Sequence, residues 1–320
     1  MDATIRAIRL YDVPAIAHGT GQKVSGGRVF KHFRSCIVAV ETTDGTVGWG
    51  ETMPYNSNYL PAFAAGARAG LQELAPALIG CDVRAISVLQ ARMDHTLYGH
   101  GYAKVGLEMA AWDALGKLSR WPLYLHFGGM LSPEPQISAH IGAMADEDRP
   151  ERMARYRSFG IRQFSCKATG DVVADIAYVR WLAENLAPGE SAKLDANGAW
   201  RVDEGIRVLR AAQDLPLWFE QPCQTYEECR DLRRAVAMPI ILDECADSLS
   251  LLIRAYEDRV LDAVSLKPAK NGGIAHTLAM RDFLSHLGKP MHVQDAAGTD
   301  IVNAMIAHIA HSIAPRRLLY

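Results

Sequence analysis

The stretch AKLDANGAWRVDEGIRVLRAAQDLPLWFEQPCQTYEECRDLRRAVAMPIILDEC, residues 192–245, decides the fold. It contains three short apolar runs that each end in an acid: AKLD at 192–195, LWFE at 217–220 and IILD at 240–243. Asp195 and Glu220 are 25 residues apart, and Glu220 and Asp243 are 23 apart. Short apolar runs at this spacing predict buried parallel strands, each followed by one helix.

The same spacing continues in both directions along the chain. Lys267 follows Asp243 by 24 residues, Asp295 follows Lys267 by 28, and Lys167 precedes Asp195 by 28, each at the end of an apolar run. A further run occupies residues 136–142. Seven regularly spaced strands predict an α/β fold, a (β/α) barrel of the modified TIM type with its polar strand ends at one face. An eighth strand begins at residues 318–320, where the sequence stops, so we expect the C-terminal end of the barrel and cap to be short.

The first 130 residues have a different pattern. Strands are predicted at 3–11 and 34–50, the latter a hairpin around Asp44-Gly45. Helices are predicted at 62–75 (ended by Pro76), 86–98 and 102–118, the last with a face of small residues for close packing. We therefore predict an α+β capping domain at 1–130, with specificity loops at 17–31 (a lid) and 51–61, and a catalytic barrel at 131–320.

Composition excludes several classes of protein. A formal charge of −2 provides no basic field for nucleic acid, and the chain contains no apolar run long enough for a membrane span. The N-terminus lacks the apolar segment of a signal peptide. Six cysteines without a CxxC pair are typical of reduced intracellular thiols, so a cytoplasmic location is expected.

The acidic strand ends predict a metal site. Asp195, Glu220 and Asp243 would repel one another unless a cation lay between them, and oxygen ligands favour Mg²⁺. Lys167 and Lys267 end the predicted strands on either side of this group. A lysine near a divalent cation has a lowered pKa and can act as a base, while the cation stabilises the charge left when a proton leaves the carbon alpha to a carboxylate.

Other residues near the predicted strand ends have weaker signals. Asn197 and Glu244 are interpreted as supports that orient the metal ligands. Tyr55 and Tyr59 either contact substrate or pack at the domain interface, and Asp295 either binds a substrate nitrogen or forms a salt bridge. The remaining candidates are interpreted as structural: His140, His292, Cys166 and Cys245.

Together these motifs resemble the enolase superfamily, in its muconate lactonizing enzyme-like branch. The resemblance rests on GWGET at 48–52, EMAAWDALGK at 108–117, Lys167, DAN at 195–197, EQP at 220–222, DE at 243–244 and KPAKNGG at 267–273. It implies Mg²⁺ on Asp195, Glu220 and Asp243, with Lys167 and Lys267 as acid and base.

A narrower resemblance points to enzymes of proline derivatives. The segments EQPCQTYEEC at 220–229, YLPAF at 59–63 and DIVNA at 300–304 are similar to cis-3-hydroxy-L-proline dehydratases and hydroxyproline betaine epimerases. The loop AGTD at 297–300 departs from the Trp-Gly-Gly-Asp of those relatives.

The expected activity is Mg²⁺-dependent dehydration of cis-3-hydroxy-L-proline, a small amino acid-type carboxylate. Racemization or epimerization of a proline betaine or another amino acid derivative is the alternative within enzymes. A non-catalytic metal-binding homologue is the alternative from another class, and a homo-oligomer is compatible with the sequence. Acid-sugar dehydration is disfavoured, because those relatives have histidine at the position of Lys267.

Overall fold

The computed structural model describes residues 3–16, 22–55, 57–141 and 148–319, with the side chains of residues 15, 16, 22 and 23 left out. Parts of four predictions therefore lie outside the described residues: positions 17–21 of the first specificity loop, position 56 of the second, the end of the 136–142 run, and Tyr320 of the eighth strand. Among the described residues, no helix is long and apolar enough to cross a membrane.

A seven-stranded parallel sheet forms the barrel and confirms the predicted architecture. Its strands lie in sequence order around the curve, so neighbours along the chain are neighbours in the sheet. The strands are β6 (Ser138–Ile141), β7 (Gln163–Lys167), β8 (Ser191–Asp195), β9 (Leu217–Glu220), β10 (Ile240–Leu242), β11 (Ala263–Leu266) and β12 (Met291–Val293). Leu318 forms a parallel bridge to Met291, where the eighth strand was predicted to begin.

Helices pack around the outside of this sheet and enclose its apolar strands. Each strand except the last described one is followed by a helix that returns the chain to the start of the next strand, as parallel strands require. These helices are α5 (Asp148–Ser158), α6 (Val172–Asn185), α7 (Val202–Ala211), α8 (Tyr226–Ala235), α9 (Leu249–Glu257) and α10 (Ile274–His286). After β12 come α11 (Asp300–His311) and a 3₁₀ turn (Pro315–Arg317), and Thr299 is the N-cap of α11.

The N-terminal region is an antiparallel sheet covered by helices. The sheet has the order β1 (Ile5–Ile16), β4 (His32–Thr42) and β5 (Val47–Thr52), and a separate pair is formed by β2 (Gln22–Lys23) and β3 (Val29–Phe30). The helices are α1 (Ala64–Leu78), α2 (Ile86–Thr96), α3 (Gly101–Ser119) and α4 (Leu123–His126). The predicted domain division, at residues 130 and 131, stays a prediction.

Glycines let α3 lie directly on β5. A Cβ atom at Gly48 would lie 2.0 Å from the carbonyl oxygen of Ala110, and one at Gly50 would lie 2.0 Å from that of Gly106. The small face predicted for this helix is therefore the face that meets the sheet. This close contact fixes where the polar side chains of α3 and β5 meet the barrel.

The predicted end of the first helix is wrong. Pro76 was expected to stop the first helix at residue 75, but α1 continues to Leu78 with Pro76 inside it. The helix therefore includes Pro76 in its last turn without the backbone hydrogen bond that the missing N–H would have donated, and it ends two residues later.

Candidate active site

Parallel register brings the predicted site residues to one end of the barrel. Lys167 is paired with Asp195 across β7 and β8, and Asp195 is paired with Glu220 across β8 and β9. Asp243 and Lys267 directly follow β10 and β11. All five side chains are buried. The structure therefore places the five residues in the order in which they occur in the sequence, along one arc of strand ends.

The two lysines lie at opposite ends of this arc, and each contacts an acid. The amine of Lys167 contacts the carboxylate of Asp195. Lys267 Nζ lies 2.5 Å from Asp243 Oδ2. Glu220 lies on the strand between the two acids, so the amines reach the carboxylate group from its two sides.

Lys270 is a further amine that the sequence reasoning missed. Its Nζ lies 3.1 Å from Asp243 Oδ1 and donates to the carbonyl oxygens of Asp243 (2.5 Å) and Ser265 (2.9 Å). Lys270 lies in the KPAKNGG loop, and nothing in its sequence position indicates which acid it meets.

Glu220 is held by three donors from the barrel interior. Lys193 Nζ lies 2.6 Å from Oε2, while Ser265 Oγ (2.5 Å) and Gln294 Nε2 (3.1 Å) donate to Oε1. Burial favours the protonated acid, but the summed positive charge around Glu220, with Lys193 the largest contributor, outweighs it and holds the pKa of Glu220 well below its usual value. The sequence analysis also missed Lys193. Its position could have been inferred, because side chains two residues apart in a strand share a face and Lys193 precedes Asp195 by two.

His292 is part of the same interior group. It is buried, and its Nδ1 lies 2.7 Å from Lys193 Nζ. Burial and the neighbouring Lys193 charge lower its pKa well below the usual value, which favours the neutral imidazole.

Asn197 and Glu244 adjoin the acids. The backbone N–H of Asn197 donates to Asp195 Oδ1 (2.9 Å), and its side-chain amide donates to Asp195 Oδ2 (3.1 Å) and Glu244 Oε1 (2.9 Å). Burial and the adjacent Asp243 raise the pKa of Glu244 to about 7. Burial also raises the pKa of Asp195, with Lys167 opposing the shift. These contacts fit a supporting role, which stays a prediction.

Aromatic side chains of the capping loops cover the Lys267 end of the site. Lys267 Nζ donates to Tyr59 Oη at 2.8 Å, and the Tyr55 and Tyr59 rings are 5.2 Å apart. Tyr55 also packs edge-on against Phe30 and Phe33. Its hydroxyl is buried and has no hydrogen-bond partner among the described residues. The structure thus places both predicted tyrosines at the site.

Asp295 lies in the loop after β12. Its carboxylate accepts from the backbone N–H groups of Ala296 (2.7 Å) and Ala269 (3.3 Å). It therefore joins the loop after β12 to the loop that follows Lys267. Burial raises its pKa to about 6.

The acids fit a hard cation in the chemistry of their donor atoms, and they lie on neighbouring strands. Asp195, Glu220 and Asp243 offer carboxylate oxygens from adjacent strands, which lie about 4.8 Å apart in a sheet. In this conformation the carboxylates turn toward lysines, and within the described part of the chain no three Asp, Glu, His or Cys side chains converge on one point.

Comparisons with known proteins agree with this geometry. Residues 22–128 match the N-terminal domain of mandelate racemase / muconate lactonizing enzyme, and residues 148–320 match the enolase C-terminal domain-like family. A cis-3-hydroxy-L-proline dehydratase of Roseibium aggregatum is 37% identical over 96% of this chain and 84% of its own length. An N-succinyl-L-Arg/Lys racemase of Bacillus cereus is 25% identical over 87% of this chain and 76% of its own.

A solved structure of a related enzyme has the same fold as this chain. A mandelate racemase/muconate lactonizing enzyme of Roseovarius nubinhibens, complexed with magnesium, superposes with a TM-score of 0.94 at 33% identity, covering 98% of this chain and 86% of the other. The family resemblance inferred from the motifs is confirmed. The chain belongs to the mandelate racemase / muconate lactonizing enzyme family, a family of enzymes in the enolase superfamily.

Proposed function

We propose that this enzyme removes the α proton of a small amino acid-type carboxylate with the help of Mg²⁺, and that its reaction is the dehydration of cis-3-hydroxy-L-proline. The observation that carries the chemistry is the placement of Lys167 and Lys267 on either side of three buried acids. The identity of the substrate is supported by the 37% identical dehydratase.

The stereochemistry of this substrate requires groups on two faces. In cis-3-hydroxy-L-proline the carboxylate and the hydroxyl share one face of the ring, so the α hydrogen and the hydroxyl are on opposite faces. One neutral lysine takes the α proton, and the opposite, protonated lysine gives a proton to the hydroxyl. The C3–O bond breaks, water leaves and a C2=C3 double bond forms. The resulting enamine tautomerizes to the cyclic imine.

Asp195, Glu220 and Asp243 are the residues that would hold Mg²⁺. When bound, the ion supplies positive charge that offsets the negative charge developing on the substrate carboxylate as the proton leaves. The relative from Roseovarius nubinhibens is complexed with magnesium, which supports this assignment. Asn197 and Glu244 would orient the acids through their hydrogen bonds.

The capping loops would bind the rest of the substrate. Tyr55 and Tyr59 present aromatic rings beside Lys267, a surface suited to an apolar ring. The unpartnered Tyr55 hydroxyl can bond a polar group of the substrate. Asp295, in the adjoining loop, is the candidate partner for the ring nitrogen.

Epimerization is the second candidate, because the same pair of lysines supports it. If the substrate has no leaving group at C3, the opposite lysine returns a proton to the other face and inverts the α carbon. The similarity to an N-succinyl-L-Arg/Lys racemase favours this possibility.

The test compares two diastereomers in D₂O. Both cis- and trans-3-hydroxy-L-proline present the α hydrogen on the same face, but only the cis isomer has its hydroxyl opposite that hydrogen. With MgCl₂ present, NMR should show rapid loss of the cis isomer to the cyclic imine. Because general acid catalysis contributes about 10²–10⁴-fold, dehydration of the trans isomer should be at least about 100-fold slower.

Lys167→Ala and Lys267→Ala are the matched variants. Loss of either amine should abolish dehydration, whereas exchange of the α hydrogen for deuterium should survive in the variant that lacks only the acid. If several amino acids exchange their α hydrogen and invert at the α carbon without forming imine, the proposed reaction becomes epimerization instead of dehydration. If no amino acid or hydroxy acid of a broad panel gives either imine or α-hydrogen exchange, both dehydration and epimerization are refuted.

A further inference from the structure

Glu108, in α3 of the capping region, binds the first turn of a barrel helix. The residue is buried, and its carboxylate accepts from the backbone N–H groups of Ile274 (2.9 Å) and Ala275 (2.7 Å). Trp112 Nε1 donates to it at 3.2 Å. The N-cap of α10 is Gly273, which has no side chain, so Glu108 supplies the acceptor that an N-cap residue normally provides.

Gly273 is shaped around this contact. Its φ of +132° lies in the region that favours glycine, and a Cβ atom there would lie 2.0 Å from Glu108 Oε2. A side chain at Gly273 that capped the helix would therefore displace the carboxylate that now does so.

Glu51, in β5, binds the N-cap residue of the next helix. It is buried, and its carboxylate accepts from the Thr299 hydroxyl (2.8 Å) and from the Thr299 backbone N–H (3.0 Å). Ser35 Oγ donates to it at 2.6 Å. Thr299 is the N-cap of α11. Two glutamates from one region thus hold the N-termini of two successive barrel helices.

These helix starts are the ends of the loops that carry site residues. The loop before α10 begins with Lys267, whose backbone N–H donates to Asn271 Oδ1 at 2.8 Å, and the N–H of Gly273 donates to the Pro268 carbonyl at 2.9 Å. The loop before α11 carries Asp295. Glu108 is therefore joined to Lys267 through a short, hydrogen-bonded loop, and Glu51 is joined to Asp295 through a loop of similar length.

We infer that Glu108 and Glu51 are positioning residues, each fixing one active-site loop from the capping region: Glu108 the loop of Lys267, and Glu51 the loop of Asp295. The roles of Lys267 and Asp295 in this inference rest on the proposed function, whereas the holding of each loop by its glutamate does not depend on it. A carboxylate is suited to the task because its two oxygens are acceptors only, and negative charge is favourable at a helix N-terminus.

The test uses Glu108→Gln and Glu51→Gln in the full-length protein, with the exposed Glu184→Gln as a control. An amide keeps the shape but turns a donor toward backbone N–H groups. Hydrogen exchange followed by mass spectrometry should show at least about tenfold faster exchange at residues 274–277 in Glu108→Gln, since an unsatisfied buried group raises the cost of the closed state. Exchange at residues 299–303 should change by less than about twofold. In Glu51→Gln, exchange should be at least about tenfold faster at residues 299–303 and should change by less than about twofold at residues 274–277.

Kinetics separates positioning from general loosening. Glu108→Gln should lower kcat for α-proton exchange about tenfold or more with little change in KM, because it moves a proton-transferring amine. Glu51→Gln should mainly raise KM, because it moves a substrate contact. Glu108→Asp keeps the carboxylate and should recover part of the lost kcat. It replaces Glu108→Gln in the experiment if that variant does not fold.

Equal changes at both helix starts in either variant, or no change at either, would overturn the inference. If the wild-type protein exchanges no α proton of any substrate, the proposed function fails, while the pattern of amide exchange still decides whether each glutamate holds its loop.

Discussion

Asp295 shows how a single, partly buried carboxyl couples stability to pH. Its pKa is raised by burial to about 6 from the ordinary value of 3.8. Between these values the unfolded chain is ionised at this position while the folded protein keeps the proton. The stabilisation is therefore fully present below about pH 4 and is lost as the pH rises through about 6.

Replacement of this residue tests that coupling. Between pH 4 and pH 7 the free energy of unfolding of the wild type should fall by about 1–3 kcal/mol relative to Asp295→Asn, the lower values reflecting partial exposure of the side chain. Urea denaturation at half-unit pH intervals, without Mg²⁺, measures the difference. Two parallel pH profiles would show that Asp295 titrates alike in the folded and unfolded states.

At the scale of elements, Arg28 joins the loop between β2 and β3 to two other segments. Its guanidinium donates to the carbonyl oxygens of Ser25 (3.1 Å), Asn58 (3.2 Å) and Asn197 (3.1 Å). Ser25 Oγ in turn donates to the carbonyl oxygen of Asp195 at 2.6 Å. Both capping loops are thereby attached to the barrel beside the acids, and the lid role of residues 17–31 stays a prediction.

Arg28→Lys should loosen this attachment, because one ammonium cannot reach three carbonyls arranged around a planar guanidinium. We expect KM to rise about tenfold while kcat changes little, since a hydrogen bond to a charged group contributes about 1.5–3 kcal/mol. Steady-state kinetics measures both constants. Arg84→Lys, at an exposed ion pair with Asp82, is the control. An unchanged KM would mean that the loops stay closed without Arg28.

The elements also show what the sequence could predict. The barrel strands were predictable because each is a short apolar run ending in a polar residue, and the constant spacing places those ends together. Lys167, Asp195 and Glu220 could be assigned to one edge for that reason. The contacts of Glu51, Glu108 and Arg28 could not, because each joins segments far apart in sequence whose relative placement depends on how the capping region packs on the barrel.

At the scale of the whole molecule, buried charges of both signs are balanced across several strands. Acids on β8 and β9 and after β10 meet lysines from β7, β8 and the loop after β11. Buried charges are costly when they are left unpaired, and here each buried acid has a neighbouring amine. A divalent cation would add positive charge to the same group and join three strands through one ion.

Mg²⁺ should therefore stabilise the entire fold, because the unfolded chain does not hold the three acids together. At a free concentration 100-fold above the dissociation constant, the expected gain is about 2.7 kcal/mol, or a rise in Tm of roughly 3–8 °C. Calorimetry of chelator-treated protein with increasing MgCl₂ measures the rise, and KCl at equal ionic strength is the control. Asp243→Asn should lower the starting Tm, since Lys267 and Lys270 lose their partner, and should also remove most of the response to Mg²⁺. An equal response to Mg²⁺ in wild type and Asp243→Asn would exclude Asp243 from the metal site, because a ligand that contributes binding energy must also contribute to this stabilisation.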